Sequence, residues 1–262
     1  MSNRITPEQI ATIKPEHLKW MFGDFHEMIQ ARIEELRRLN HALSTSTVAF
    51  FEYLLREVDA EKFARIQRTF LSAESRTQNG NMLKYIDPIT WFESKLNNAR
   101  WIGLDNQRPL RILDLGTGPG HFPVVARFYG HLVVGTDLPD RSRGLVHDGH
   151  LYDALCDLYH VERISHRIFP SEPLGEVGGR YDLLTAFLAA FNIDEEKRPW
   201  SVDQWRFFLL DLKENILNDG GVLCMTLDDA KLTPDSWSFL RNLSEKCVER
   251  KKQILISDFS NL

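Results

Sequence analysis

The chain has 262 residues, long enough to bury a full hydrophobic core in one large domain or in one domain with an appendage. Hydrophobic residues make up 43% and charged residues 26%, as is typical of globular proteins, and no apolar run approaches membrane-spanning length. We therefore expect no membrane partner. The net charge of −5 gives no general attraction to phosphate backbones, so nucleic acid is not favoured as a partner either.

The cysteines and the first residues indicate a compartment. Cys156, Cys224 and Cys247 stand far apart without a Cys-x-x-Cys pair, so we expect reduced, buried thiols rather than a disulfide framework or a zinc site. The N-terminus shows no apolar segment typical of a secretory signal. We therefore expect a cytoplasmic protein.

Residues 1–104 are predicted to be helical and to form a cap or lid. A capping box is predicted at 6–9. A longer helix is predicted from Pro15, because apolar residues recur at three- and four-residue steps from Met21 to Leu36. Further helices are predicted at 48–58 (after a cap-rich break at 44–47), at 59–71 and at 88–103, with a turn-forming loop at 73–81. Such amphipathic helices could also form a homodimer.

From Arg108 onwards, alternating strands and helices predict a mostly parallel sheet with helices on both faces. The predicted strands cover 111–115, 132–135, 163–169, 180–186, 222–227, 247–250 and 253–257, the last two as an antiparallel pair. The predicted helices cover 121–130, 145–159, 205–217 and 236–246, and a helix stop and turn are predicted at 218–221.

A nucleotide-binding pattern lies between the first two predicted strands. The turn Gly116-Thr117-Gly118-Pro119-Gly120 follows the first strand, and a helix begins at about His121. The glycines allow a tight turn and let a ligand approach the main chain, and the helix N-terminus favours negative ligand groups. A dinucleotide fingerprint would need glycine at 121. Asp137, at the end of the second strand, is placed to accept both hydroxyls of a ribose.

The pattern Asp-x-Gly-x-Gly-x-Gly, which begins at Asp114, resembles motif I of the class I S-adenosylmethionine (SAM)-dependent methyltransferases. The resemblance covers roughly residues 108–262. It implies an α/β fold with a doubly wound, mostly parallel seven-stranded sheet in the order 3-2-1-4-5-7-6. It also implies an N-terminal helical cap at 1–104, a methyltransferase domain at 105–262 and SAM as the cofactor. Asp114 and the glycine amides would hold the ammonium and the carboxylate of SAM.

The same resemblance implies the residues that bind the cofactor. Many family members place an acid after the third strand to hold adenine, but Phe169-Pro-Ser-Glu follows here, so contact with Phe169 and main-chain groups is expected instead. Tyr85 would cover the cofactor from the cap, with plain packing as the alternative. The predicted set is Tyr85, Asp114, Gly116, Thr117, Gly118, Gly120, Asp137, Leu138, Phe169, Ala186 and Phe187.

Catalytic side chains should follow strands four and five, because ligands of an open parallel sheet lie beyond the carboxyl ends of its strands. Asn192 is the candidate catalytic residue, and Asp194 is a second polar group close to it in the chain. The alternative is that Asn192 caps a turn and Asp194 opens a solvated segment. Trp200 and Trp205 would either wall a pocket or pack in the core.

No metal is expected. His147, Asp148 and His150 superficially suggest a metal site, but they follow the second strand, and a solvent-facing helix start is the favoured interpretation.

These observations predict a SAM-dependent methyltransferase that acts on a small-molecule or sugar-type acceptor, by O- or N-methylation. The negative charge, the cap and the absence of an Asn/Asp-Pro-Pro-aromatic run after strand four favour a small acceptor over a nucleobase amine. Two alternatives stay open: a protein or nucleic-acid methyltransferase, and a SAM-binding scaffold protein without turnover. The sequence does not name the acceptor.

Overall fold

The structure is a computed structural model that describes residues 15–39, 42–72, 80–138, 148–189, 191–194, 196–260 and 262. The described residues form two compact units. The first unit comprises Met1–Trp101, Gly118–Phe128 and Asp140–Val161, and the second comprises Ile102–Thr117, Tyr129–Pro139 and Glu162–Leu262. The predicted capping box at 6–9 and most of the predicted loop at 73–81 lie outside the described residues. The predicted boundary between 104 and 105 stays a prediction.

The first unit is helical, as the periodicity predicts. Its helices are α1 (Pro15–Leu18), α2 (Phe25–Arg38), α3 (Ala42–Glu57), α4 (Ala60–Phe70), α5 (Pro88–Ile102, which ends at the boundary), α6 (His121–Phe128) and α7 (Asp148–Leu158), with a 3-10 helix at Gly80–Ile86. Asp24 and Asp59 cap α2 and α4, each accepting a hydrogen bond from a main-chain amide of the first turn.

Two helix boundaries in this unit differ from the prediction. The helix predicted to run on from Pro15 stops at Leu18, and α2 begins only after the N-cap residue Asp24. Periodic apolar residues continue across the break, so periodicity alone could not locate it. The cap-rich segment 44–47 is not a break either, since it lies within α3, where Ser46 and Thr47 accept hydrogen bonds from Arg100 at 2.9 and 2.6 Å.

Aromatic side chains form much of the core of the first unit. The ring of Phe50 lies 5.2 Å from that of Phe92 and 5.2 Å from that of Phe128, centroid to centroid. Phe25 and Phe63 join α2 to α4 with their centroids 5.0 Å apart. The first three rings thus join α3, α5 and α6, and the other two join α2 and α4; such pairs stabilise a core beyond their area burial.

The second unit contains a seven-stranded sheet. Its strands are β1 (Arg111–Leu115), β2 (Leu132–Asp137), β3 (Arg163–Ser165), β4 (Tyr181–Phe187), β5 (Leu217–Thr226), β6 (Lys246–Val248) and β7 (Gln253–Ile256). They lie in the order β3-β2-β1-β4-β5-β7-β6. The pairs from β3 to β5 are parallel, and β7 is antiparallel to both β5 and β6. The predicted fold class and strand order are confirmed.

The third and fifth strands differ from the prediction in length. β3 pairs only with β2, and it ends at Ser165 opposite Asp137, where β2 itself ends. Among the described residues, the predicted continuation to Phe169 therefore has no strand to pair with. β5 begins at Leu217 rather than Val222, and its register with β4 jumps between these two residues. The predicted turn at 218–221 is thus an irregular part of the strand.

Two helices pack on this sheet: α8 (Val202–Asp211) and α9 (Pro234–Asn242). Ser201 and Gln204 form a capping box at the start of α8, so this helix begins earlier than predicted, and a π-helical turn at Leu212–Ile216 follows it. Apolar side chains from both helices share one buried cluster with strands β4, β5 and β7; its members include Leu184, Trp205, Phe208, Met225, Leu240 and Ile254.

The cysteine prediction is right at two positions and wrong at one. None of the three cysteines, all of which the structure describes, forms a disulfide; Cys156 and Cys224 are buried, but Cys247 is exposed. It lies on β6, an edge strand of the sheet. Within the described ranges, no helix combines the length and apolar character needed to cross a membrane.

Candidate functional site

The carboxyl ends of β1, β2 and β4 bring the predicted polar residues of the second unit together. Asp114 on β1 is in register with Gly135 on β2 and with Thr185 on β4. Asp137 is the last residue of β2. Because β2, β1 and β4 are adjacent and parallel, their carboxyl ends lie at the same end of the sheet, which is where open α/β sheets bind ligands.

Asp114 is the centre of a buried hydrogen-bond network. Its two carboxylate oxygens accept hydrogen bonds from the hydroxyls of Thr117, at 2.7 Å, and of Thr185, at 2.6 Å. Asp114 is 3% exposed and Thr185 is fully buried. The amide of Thr117 donates to the carbonyl oxygen of Thr136 at 2.8 Å, which ties the glycine turn to β2. A buried carboxylate is stable here because charge-assisted hydrogen bonds satisfy it.

The glycine turn needs glycine for its backbone. Gly116, Gly118 and Gly120 have φ values of 62°, 55° and 82°, in the left-handed region that side chains disfavour. A Cβ at Gly116 would stand 2.5 Å from Cβ of Ala189 in the second unit. A Cβ at Gly120 would stand 2.9 Å from a methyl carbon of Val161 in the first unit. At these two positions the missing side chain leaves room for the protein's own atoms.

Asp137 is a second buried acid at the carboxyl ends of these strands. It is 6% exposed. Its Oδ1 accepts a hydrogen bond from the amide of Leu138 at 2.7 Å, and its Oδ2 lies 3.9 Å from the guanidinium of Arg163. The Arg163 contact is long for an ion pair. A ribose contact of Asp137 stays a prediction.

The other predicted cofactor residues occupy varied environments. In the second unit, Leu138 is exposed, Phe169 is half-buried beneath the guanidinium of Arg167 at 4.7 Å, and Ala186 and Phe187 end β4 in buried positions. In the first unit, the ring of Tyr85 lies 4.6 Å from that of Trp91. The contacts of these five predicted residues with a cofactor stay predictions.

The segment after β4 serves a structural purpose. Asn192 is fully buried, its side-chain amide donates to the carbonyl of Lys231, and its own carbonyl accepts from the amide of Trp200 at 3.0 Å. Asp194 accepts hydrogen bonds from the amide and the guanidinium of Arg198 at 2.8 and 2.7 Å, which closes a surface turn. A catalytic role for Asn192 stays a prediction.

Trp200 and Trp205 pack in the core. They are 1% and 0% exposed, and their rings lie 5.2 Å apart within the aromatic cluster of the second unit. His147 lies outside the described residues, and so do the side chains of Asp148 and His150.

Sequence reasoning missed two functional candidates. Thr185 carries a hydroxyl within the apolar strand β4, and a polar side chain in such a run is the sequence signal that points to it. The second candidate is His121, which is 1% exposed in the first unit among the rings of Phe92, Trp91 and Tyr159. Burial lowers its pKa to about 3, and the Lys95 ammonium adds to this.

A substitution at Gly135 should disturb the Asp114 network without touching any acid. A Cβ on Gly135 would stand 2.6 Å from the methyl carbon of Thr117, so Gly135→Ala should push Thr117 away from Asp114. We expect loss of the bond to cost about 1 kcal/mol or more and to lower the melting temperature. Thr117→Gly removes the obstructing side chain, so adding it to Gly135→Ala should restore part of the stability. A double variant no more stable than Gly135→Ala would contradict this.

No protein-family model matches the chain, and no curated protein matches it. Solved structures match at low identity. The ribosomal protein L11 methylase of Lactobacillus delbrueckii subsp. bulgaricus is 19% identical, over 63% of this chain and 74% of that chain, with a TM-score of 0.39. SAM-bound CalS10, an amino pentose methyltransferase of Micromonospora echinaspora, is 20% identical, over 55% of this chain and 54% of that chain, with a TM-score of 0.36.

The glycopeptide N-methyltransferase MtfA, complexed with SAM, is 15% identical, over 53% of this chain and 56% of that chain, with a TM-score of 0.35. The matched part is thus little more than half of the length of CalS10 and of MtfA. At such TM-scores these likenesses carry no weight of their own. The fold assignment rests on the strand order of this chain, which is the order implied by the resemblance to class I methyltransferases.

Proposed function

We propose that the protein is a class I SAM-dependent methyltransferase that acts on a small-molecule or sugar-type acceptor by O- or N-methylation. The observation that carries the proposal is the buried Asp114–Thr117–Thr185 network beside the glycine turn, with Asp137 at the end of the neighbouring strand. Fold alone would not identify a function, because many functions share one fold.

The chemistry of these residues fits SAM. Asp137 is a buried carboxylate at the end of β2, and it can accept the two hydroxyls of a ribose. Asp114 is an acid at the end of β1 that can attract the ammonium of the methionine part, and the turn amides can meet its carboxylate. Bound SAM supplies a methyl group on a positively charged sulfur. The protein then has to hold the acceptor atom in line with that methyl group.

The acceptor class is inferred from charge and composition. The chain carries 37 acidic against 32 basic residues, apart from histidines, so a long phosphate backbone would meet net repulsion. Comparing methylated metabolites between cells with and without the gene would identify the acceptor. A methylated protein or nucleic acid as the sole difference would contradict a small acceptor.

Asp137→Ala should weaken SAM binding roughly tenfold or more, because a hydrogen bond to a charged group contributes about 1.5–3 kcal/mol. Isothermal titration calorimetry with SAM, and with its demethylated product S-adenosylhomocysteine, measures this directly. Asp203→Ala is a matched control, because it removes the same charge from a side chain on α8 that is 92% exposed. Equal affinity in wild type and Asp137→Ala would show that Asp137 does not bind the ribose. Absence of binding by the wild type would overturn the proposed function.

A further inference from the structure

An exposed leucine lies at the carboxyl end of β4, in the second unit. Leu188 directly follows Phe187, the last residue of this strand, and it is 59% exposed. A single exposed leucine on a protein surface needs no explanation. Leu188 needs one because of its backbone conformation and its position.

The backbone of Leu188 is strained. Its φ of 60° lies in the left-handed region, where a Cβ crowds the following carbonyl oxygen. The conformation is fixed, because the amide of Leu188 donates to the carbonyl oxygen of Thr226, the last residue of β5, at 2.8 Å. Glycine or asparagine would adopt this conformation at a lower cost. The chain thus keeps an exposed leucine where folding alone favours other residues, and strain of this kind is concentrated at functional sites.

Leu188 lies beside residues that we propose for the cofactor, within the same unit. Thr185, three residues earlier on β4, donates a hydrogen bond to Asp114. Ala189, the next residue, closely approaches the glycine turn, since a Cβ placed on Gly116 would stand 2.5 Å from the Cβ of Ala189. Contacts with β1 and with the turn after it therefore precede and follow Leu188, at the end of the sheet where open α/β sheets bind ligands.

The side chains around Leu188 in the sequence offer hydrocarbon to a ligand. Residues 187–191 are Phe-Leu-Ala-Ala-Phe, a run without a polar side chain. The polar side chains that follow β4 and β5 make contacts within the protein: the amide of Asn192 donates to the carbonyl of Lys231, and Asp228 lies 3.5 Å from the ammonium of Lys231. In the described part of this segment, a molecule that lies against the end of β4 therefore meets apolar side chains.

We propose that Leu188 is a specificity-determining residue and that the methyl acceptor has an apolar part that covers it; this rests on the methyltransferase activity proposed above and narrows its acceptor. Covering Leu188 removes apolar surface from water, which stabilises the bound acceptor. A free sugar has a hydroxyl on nearly every carbon and offers little apolar surface. The acceptor is instead a small molecule that carries its hydroxyl or amine on an aromatic or aliphatic skeleton.

Leu188→Asn separates recognition of the acceptor from a role in folding. Asparagine has nearly the shape of leucine, is polar and tolerates the left-handed conformation. The melting temperature should rise by about 2–4 °C as the strain is relieved. Transfer is measured from isotope-labelled SAM into the ethyl acetate-soluble and the water-soluble fractions of a metabolite extract. Wild type should label the ethyl acetate fraction, and Leu188→Asn should need about ten times more of it for the half-maximal rate.

Two control variants isolate the apolar contact. Leu188→Met keeps an apolar side chain, so it should need the same amount of the ethyl acetate fraction as wild type. Lys197→Asn makes the same kind of change at an exposed residue with a φ of 62°, so it should gain similar stability and transfer like wild type. Calorimetry with S-adenosylhomocysteine should give one affinity for all four proteins.

Several results would overturn the role of Leu188. They are a half-maximal amount in Leu188→Asn equal to that of wild type, a melting temperature well below that of wild type, and a loss of S-adenosylhomocysteine affinity as large as the loss in transfer. A dimer that Leu188→Asn dissociates, seen by analytical ultracentrifugation, would show that a second copy covers the leucine and would overturn it too.

The outcomes for wild type distinguish this proposal from the proposed function. Wild type that labels only the water-soluble fraction overturns the apolar acceptor and leaves the methyltransferase standing. Wild type that binds SAM but labels neither fraction overturns turnover, and the apolar acceptor with it. Wild type that does not bind SAM overturns both proposals.

Discussion

Lowering the pH from 6.5 to about 4.5 is expected to reduce the free energy of unfolding by about 2–3 kcal/mol through His121 alone. Burial lowers the pKa of His121 from its ordinary 6.5 to about 3. Between these values the unfolded chain binds a proton that the folded chain does not bind. The stability is therefore complete above pH 6.5, and it falls as the pH drops towards 3.

The measurement is urea unfolding at both pH values, for wild type and for His121→Leu, which has similar volume and no titrating group. Asp87, in the same unit, changes the pH dependence of stability in the opposite direction. Burial raises the pKa of Asp87, so the folded chain gains stability as it binds a proton there at low pH. Only the difference between the two proteins isolates His121. Equal pH dependence in both proteins would show that His121 titrates normally and is open to water.

Asp114→Ala should have the largest effect on the cofactor site. It removes the acceptor for the buried hydroxyls of Thr117 and Thr185, and leaving a buried hydroxyl without an acceptor costs about 1–3 kcal/mol. It also removes the acid that we propose for the ammonium of SAM. We expect the stability to fall by a few kcal/mol and the affinity for SAM to fall by about 100-fold or more.

Thr185→Val is the control for this substitution, because it removes one hydroxyl at nearly constant volume and leaves the carboxylate in place. Calorimetry should show a smaller loss of SAM affinity than in Asp114→Ala. A double-mutant cycle with both substitutions should be non-additive, since the two side chains share one hydrogen bond. Strict additivity, or full SAM affinity in Asp114→Ala, would contradict the role of the network.

The sheet was predictable because its signals are local. Apolar runs of strand length, the Asp114–Gly120 pattern and the acid at 137 each lie within a few residues, and strand order followed from the resemblance that they establish. The end of β3 was not predictable in the same way. The residues after Ser165 could extend a strand, but the length of β2 decides where pairing stops.

The candidate site, too, contains residues that local sequence signals predict and contacts that they do not. Asp114 and Asp137 are recognisable from their places in a motif, whereas the contact of Thr185 with Asp114 becomes visible only when β4 is laid beside β1. Within the first unit, the side chains of His17 and Asp87 are hydrogen-bonded although 70 residues separate them, and nothing in the sequence around either residue indicates their contact. Non-local pairs of this kind depend on how the helices pack, which periodicity does not specify. Asn192 is a polar residue after β4, but its side chain is buried and donates to the carbonyl of Lys231, 39 residues further on.

The exposure of Cys247 has a practical consequence. Because the other two cysteines are buried, this edge strand carries the sole accessible thiol of the chain. Partial burial and the nearby Glu249 carboxylate raise the pKa of the Cys247 thiol, which keeps it mostly protonated and slow to oxidise at neutral pH. Mildly alkaline conditions favour its thiolate, so a fluorophore or spin label can be attached at this one position in the natural sequence. With a second label introduced on a helix, the distance between the two labels could be measured without any engineered cysteine in the sheet.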